Sequence, residues 1–136
     1  MAHTAQLAFK SENKKYPVIE CEYELIQPVK ENGQPSGQPL GGIVHLAIVS
    51  PDDSDLFLHE WMRSSTEDKS GTIVFSVVDA GKSSEKTLHF KRAFCVRMYE
   101  YFNGYSDGQM YTKMTISADE ISFGKGGSIT FKNNEY

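Results

Sequence analysis

The sequence predicts a mainly β fold: a small antiparallel β-barrel or sandwich with one flanking amphipathic α-helix and a long extended Gly/Pro-rich loop. Three observations lead there. Apolar and polar residues alternate with a period of two through most of the chain, turn residues punctuate these runs at short intervals, and a single segment carries helical spacing. Successive strand side chains point to opposite faces, so an alternating run is a strand with one core face. Short strands in succession without intervening helices pair antiparallel and close on themselves.

The elements follow in order. Gln6–Lys10 is the first strand. From Tyr16 to Ile26, Ile19, Cys21, Tyr23 and Leu25 share one face, while Glu20, Glu22 and Glu24 share the wet one. Gln27 to Gly42 is the loop: its sixteen residues hold Pro28, Gly33, Pro35, Gly37, Pro39, Gly41 and Gly42. A connection of that length between two strands is expected to be functional rather than a plain turn. Ile43–Val49 is a strand. Ser50-Pro51-Asp52-Asp53 then reads as a helix start, with Ser at the cap and Pro in the first turn. The helix is expected over about 52–65, with Ser54, Phe57, Leu58, Trp61, Met62 and Ser65 on one stripe. Phe57, Leu58, Trp61 and Met62 are its expected anchors, and Asp55, His59, Glu60 and Arg63 face water. Further strands are expected at Thr72–Val78, Thr87–Lys91, Phe94–Phe102, Gln109–Asp119 and Ile129–Lys132; within Gln109–Asp119 the inward face is Met110, Thr112, Met114, Ile116 and Ala118, alternating with Gln109, Tyr111, Lys113, Thr115 and Ser117. Asn13, Gly81, Asn103-Gly104 and Gly124-Lys125-Gly126-Gly127 supply the turns between them.

At 136 residues the chain has the length of one domain, residues 1–136. Fourteen basic and eighteen acidic residues give a net charge of −4, which argues against a nucleic-acid or anionic-membrane surface. No run approaches the ~20 apolar residues of a membrane span. The opening Met1-Ala2-His3-Thr4-Ala5-Gln6 has neither a basic head nor an apolar run, so no cleaved signal peptide is expected. Two cysteines are too few for a disulfide framework.

No catalytic, metal or cofactor constellation emerges. His3, His45, His59 and His89 are each isolated from other ligand residues. Cys21 and Cys95 sit in apolar alternations, where a thiol behaves as a small hydrophobe. Asp52, Asp53 and Asp55 lack the spacing and terminal Glu of an EF-hand, and Gly124–Gly127 lacks that of a phosphate loop. Tyr99, Tyr101, Phe102, Tyr105 and Tyr111 are expected as core and cross-strand pairs rather than a ligand platform.

Two strands carry apolar residues on both faces. Val44, Leu46 and Ile48 oppose Ile43, Ala47 and Val49, and Ile73, Phe75 and Val77 oppose Val74 and Val78. Only one face of a small barrel is core, so the helix or another subunit must cover the second. Ile43, Ala47, Val49, Val74 and Val78 are therefore candidates for a subunit interface. Charge is also uneven. Residues 41–80 set seven acids against Arg63 and Lys69, whereas residues 81–136 hold eight basic and six acidic residues. Such asymmetry suits head-to-tail contacts, which build rings or filaments.

Tyr16-Pro17-Val18-Ile19-Glu20-Cys21, then Gln27-Pro28 and Gly41-Gly42 before His45-Leu46, resemble the tube protein of type VI secretion systems. This is the haemolysin-coregulated protein family, TssD, in its Bacteroidota-type branch. Leu58-His59-Glu60-Trp61-Met62, Lys86 through Cys95, and Thr115-Ile116-Ser117-Ala118 continue the likeness in the same order. The resemblance implies a non-enzymatic protein that forms homohexameric rings with a wide lumen, stacking into a tube inside a contractile sheath. It implies sheath, spike and baseplate proteins as partners and effector proteins as cargo. It implies assembly in the cytoplasm and then export by the contracting apparatus. By position, the loop with Gln27, Pro28, Val29, Gly33, Pro35, Gly37, Pro39, Leu40, Gly41 and Gly42 would reach a neighbouring ring. The competing readings are a monomeric β-barrel binding a small ligand or carbohydrate in its interior, and a phage-type tail-tube subunit.

Overall fold

The computed structural model describes residues 2–106 and 108–133. Seven strands and one helix follow in the order β1 (Ala2–Phe9), β2 (Lys15–Tyr23), β3 (Ile43–Val49), α1 (Phe57–Arg63), β4 (Lys69–Asp79), β5 (Lys82–Phe102), β6 (Met110–Phe123) and β7 (Ile129–Lys132). All strand pairings are antiparallel, in the order β3-β2-β1-β4-β5-β6-β7, and β3 pairs again with β6. That last pairing closes six strands into a barrel and leaves β7 as a flap on the far half of β6. The two strands expected at Thr87–Lys91 and Phe94–Phe102 are one, the 21-residue β5. Lys82–Thr87 pairs with β4 alone, residues 88–93 run between β4 and β6, and Phe94–Phe102 pairs with β6 alone. Arg92, at φ 51°, sits at the irregularity of the β4–β5 ladder within this shared stretch and forms an ion pair with Asp119.

The period-two pattern places most of the core correctly. Val44, Leu46 and Ile48 of β3 and Thr112, Met114, Ile116 and Ala118 of β6 all point inward and are buried. β2 departs from the expectation. Val18 pairs with Ile48 and Glu20 with Ala47, so Ile19 is an extra residue at a β-bulge. The bulge turns Ile19 outward, half exposed, and moves the inward series from Tyr16 and Val18 to Cys21 and Tyr23. Val96 is likewise extra on β5 and half exposed. Leu25 and Met110 lie beyond or at strand ends and are also exposed rather than inward.

The helix is shorter than 52–65 because Asp52 and Asp55 compete for its first turns. Asp52 Oδ1 accepts the Ser54 N–H at 2.9 Å, and Asp55 Oδ1 accepts the Phe57 N–H at 3.1 Å. These local turns take backbone donors that a helix would need, so helical geometry begins only at Phe57. At the other end Ser64 Oγ accepts the N–H groups of Thr66 and Glu67. Leu58 and Trp61 are fully buried and Phe57 packs beside them, but in so short a helix Met62 lies off the stripe and is exposed. Phe9 is the hub that receives the helix: Phe57, Trp61 and Phe90 meet its ring edge-to-face at 4.9, 5.4 and 6.2 Å. The helix thus stops the barrel end where β2 begins and β3 finishes. Tyr23, Phe123 and Phe131 pack together toward the opposite end. Among the described residues the barrel interior is thus packed with side chains at both ends.

Candidate assembly interface

Residues 27–42 form an ordered two-stranded arm rather than a structureless loop. Ile26 and Leu40 exchange backbone hydrogen bonds at its root, at 3.0 and 2.7 Å. Further out, the Ser36 N–H reaches the Pro28 carbonyl and the Lys30 N–H that of Gln34, each at 2.8 Å. Gly33, at φ 86°, makes the reversal at the tip, a conformation that suits glycine. Gly41 and Gly42 are buried at the root, where Gly41 donates to Lys132 and Gly42 accepts from Ala118. A side chain at Gly42 would press on the Ala118 carbonyl oxygen at 2.6 Å, which explains the glycine pair. Beyond the root the arm stands clear of the barrel. Val29 is 66% exposed, Gln27, Pro35, Gly37 and Pro39 are exposed with it, and at the root Leu25 and Ile26 are exposed as well.

A second unfilled surface is backbone. Lys82–Thr87 of β5 pairs only with β4, and the first half of β1 also pairs only with β4. Among the described residues this three-stranded projection therefore has two open edges, each a template for another strand. Val78, on its outer face, is 44% exposed and Val74 is half-buried.

The outer face of β2, β3, β6 and β5 forms a continuous trough. One cross-strand row is Glu22, His45, Thr115 and Arg97, with His45 Nδ1 2.8 Å from Thr115 Oγ1. The next is Glu20, Ala47, Lys113 and Tyr99, and a third sets Val49 beside Tyr111 and Tyr101. Ile43 is exposed at the arm end of β3 and Val49 is half-buried, as outward apolar residues. Ala47 differs: its short side chain forms the floor of the trough and is only 5% exposed, covered by longer side chains of the same chain. It therefore offers little area of its own to a subunit. Tyr99, Tyr101, Phe102 and Tyr105 are on the surface rather than in the core: Tyr99 and Tyr101 face outward from the barrel wall, and Phe102 and Tyr105 lie where the β5–β6 ribbon runs past the last β3 pair. Only the Tyr101–Tyr111 cross-strand pair matches the sequence reading.

Burial pushes the Cys21 and Cys95 thiols up to about 11, which leaves little thiolate. Among the described residues no three His, Cys, Asp or Glu side chains gather where a metal could sit. Tyr16 donates its hydroxyl to Asp55 at 2.9 Å, and Lys14 lies 3.4 Å from the same carboxylate. Burial raises Asp55, but the Phe57 N–H, Tyr16 and Lys14 outweigh it and hold the carboxyl below its usual range. No described helix is long and apolar enough to cross a membrane.

The model of the family described as hemolysin coregulated protein Hcp (TssD) matches residues 1–134. The chain belongs to the Hcp (TssD) family. This is the tube-protein family of type VI secretion, and its β-rich fold is the one described above. Hcp1 from Flavobacterium johnsoniae is similar at 28% identity with a TM-score of 0.74, covering 98% of this chain and all of that one. Hcp1 from the E. coli EAEC 042 pathovar shares the fold at 14% identity and a TM-score of 0.63, over 97 and 98% of the two chains. A component of an extracellular contractile injection system, from a PVC sheath/tube terminator structure, shares it at 16% identity and a TM-score of 0.52. It covers 90% of this Hcp-family chain and 92% of its own. No curated protein sequence matches the chain.

Proposed function

We propose that the chain is a structural subunit of a type VI secretion inner tube, self-assembling into hexameric rings that stack through the 27–42 arm. The observation that carries the reading is the arm: hydrogen-bonded along its length, rich in proline, and exposed beyond its root, with Val29 66% exposed among its prolines. Pro28, Pro35 and Pro39 limit its freedom before docking, so little further ordering is needed when a neighbour covers it. The open edges of β1 and β5 support lateral contact within a ring. At ~25 cal/mol per Å², an interface of ~800 Å² per partner would release roughly 20 kcal/mol before association costs. The subunit performs no chemistry; effector proteins travel in the ring lumen, and sheath, spike and baseplate proteins contact the stacked tube, which the apparatus expels. The phage-type tail tube is the neighbouring reading, and the fold shared with contractile injection systems fits either.

Deleting Val29–Leu40 tests the role of the arm. The expected product keeps its β-rich circular dichroism and its rings but no longer forms tubes in electron micrographs. Tubes of normal length from the deleted chain would overturn the reading.

A further inference from the structure

We propose that the proline-bearing tip of one copy's arm seats in a tyrosine-walled groove at the opposite end of the next copy's barrel. The inference rests on the stacking reading above and names the receiving site. That groove, of about 380 Å³, is the end of the outer trough farthest from the arm: Ala47 is its floor, Tyr99, Tyr101 and Ile19 its walls, and Glu20 and Lys113 its two charged flanks. Glu20 and Lys113 flank Ala47 on adjacent strands, so about 10 Å separates them at the usual strand spacing. The missing side-chain volume at Ala47 is what opens the space.

Placement selects the occupant. The arm springs from the end of β3 marked by Ile43, whereas the groove is floored by Ala47 toward the other end, roughly 14 Å along the strand at ~3.4 Å per residue. No arm residue of the same chain lines the groove. A projection at one end and its receptor at the other form a heterologous pair, which repeats by translation into a stack. Chemistry agrees with placement. The tip offers Pro28, Val29 and Pro35 to aromatic faces, and it carries Lys30 and Glu31. Among the described residues, Lys30, Glu31, Glu20 and Lys113 have no ionic partner within their own chain. Seating the tip sets Lys30 toward Glu20 and Glu31 toward Lys113, which fixes register as well as affinity.

Two measurements test this. Val29→Cys and Tyr101→Cys chains are mixed, assembled and mildly oxidised, with the unsubstituted chain and its two native thiols as the blank. The mixed pair should give a disulfide-linked dimer at least tenfold above either variant alone, and above Val29→Cys mixed with Asp79→Cys at the β4–β5 turn. Separately, Lys113→Glu should lower the stacked fraction in micrographs at least fivefold, and adding Glu31→Lys should restore it. Normal stacks without the specific cross-link, or with no effect of Lys113→Glu and no rescue, would overturn the groove and leave stacking intact. Absence of stacks from the unsubstituted chain would overturn the stacking reading, and this inference with it.

Discussion

Replacing Trp61 with alanine tests whether the helix is locked into the barrel. The indole is fully buried and meets the Phe9 ring edge-to-face at 5.4 Å, interplanar angle 88°. Truncating a buried aromatic costs about 3–5 kcal/mol through lost transfer energy and the cavity left behind. The edge-to-face contact lies within that range. One effect works the other way: Trp61 Nε1 is buried without a hydrogen-bond acceptor, and removing an orphaned donor returns about 1 kcal/mol. The expected net loss is therefore about 2–4 kcal/mol, read from urea denaturation followed by circular dichroism at matched protein concentration. Trp61→Phe keeps most of the ring and discards the orphan N–H, so it should cost under about 2 kcal/mol. A loss below about 1 kcal/mol for Trp61→Ala would show that the helix is not anchored as described. Equal losses for the two variants would show that cavity formation is not the cause.

Asp55→Asn should lower stability by about 1–2 kcal/mol at pH 7, since the carboxylate accepts from Tyr16 and the Phe57 N–H and faces Lys14. Because folding holds this carboxyl below its ordinary value, its stabilisation is complete above about pH 4 and is lost as the pH falls through the folded value. The gap between variant and parent should therefore close toward pH 2, and a gap that is constant with pH would refute the ionic origin. Gly71→Ala should cost more than about 2 kcal/mol by thermal melting, because a Cβ there overlaps the Ala8 carbonyl oxygen across the β1–β4 ladder. A neutral result would mean the two strands separate more easily than their register indicates.

Period-two alternation made β3 and β7 legible to the residue and placed the inward faces of β3 and β6, because those strands are regular. It failed where the ladder is irregular. Ile19 and Val96 are surplus at bulges, and a single extra residue moves every later side chain to the other face. Nothing local in Tyr16 to Tyr23 marks the bulge; the shift of partner between Ile48 and Ala47 does. The helix starts later than its spacing predicts because Asp52 and Asp55 suit helix caps and Asx turns equally, and the Tyr16 contact, 39 residues away, holds Asp55 in place. Among the candidate interface residues, the arm was legible from its Gly and Pro content, though its internal pairing was not. The tyrosine groove needs the β3–β6 pairing, which joins Ala47 to Lys113 across 66 positions of chain and has no local signal.

The central claim is self-association, and sedimentation velocity of the intact chain at micromolar concentration tests it most directly. The account predicts a boundary at the mass of six copies of the 15.3 kDa chain, with faster species where rings stack. A single boundary at the mass of one copy, unchanged as concentration rises, would contradict it.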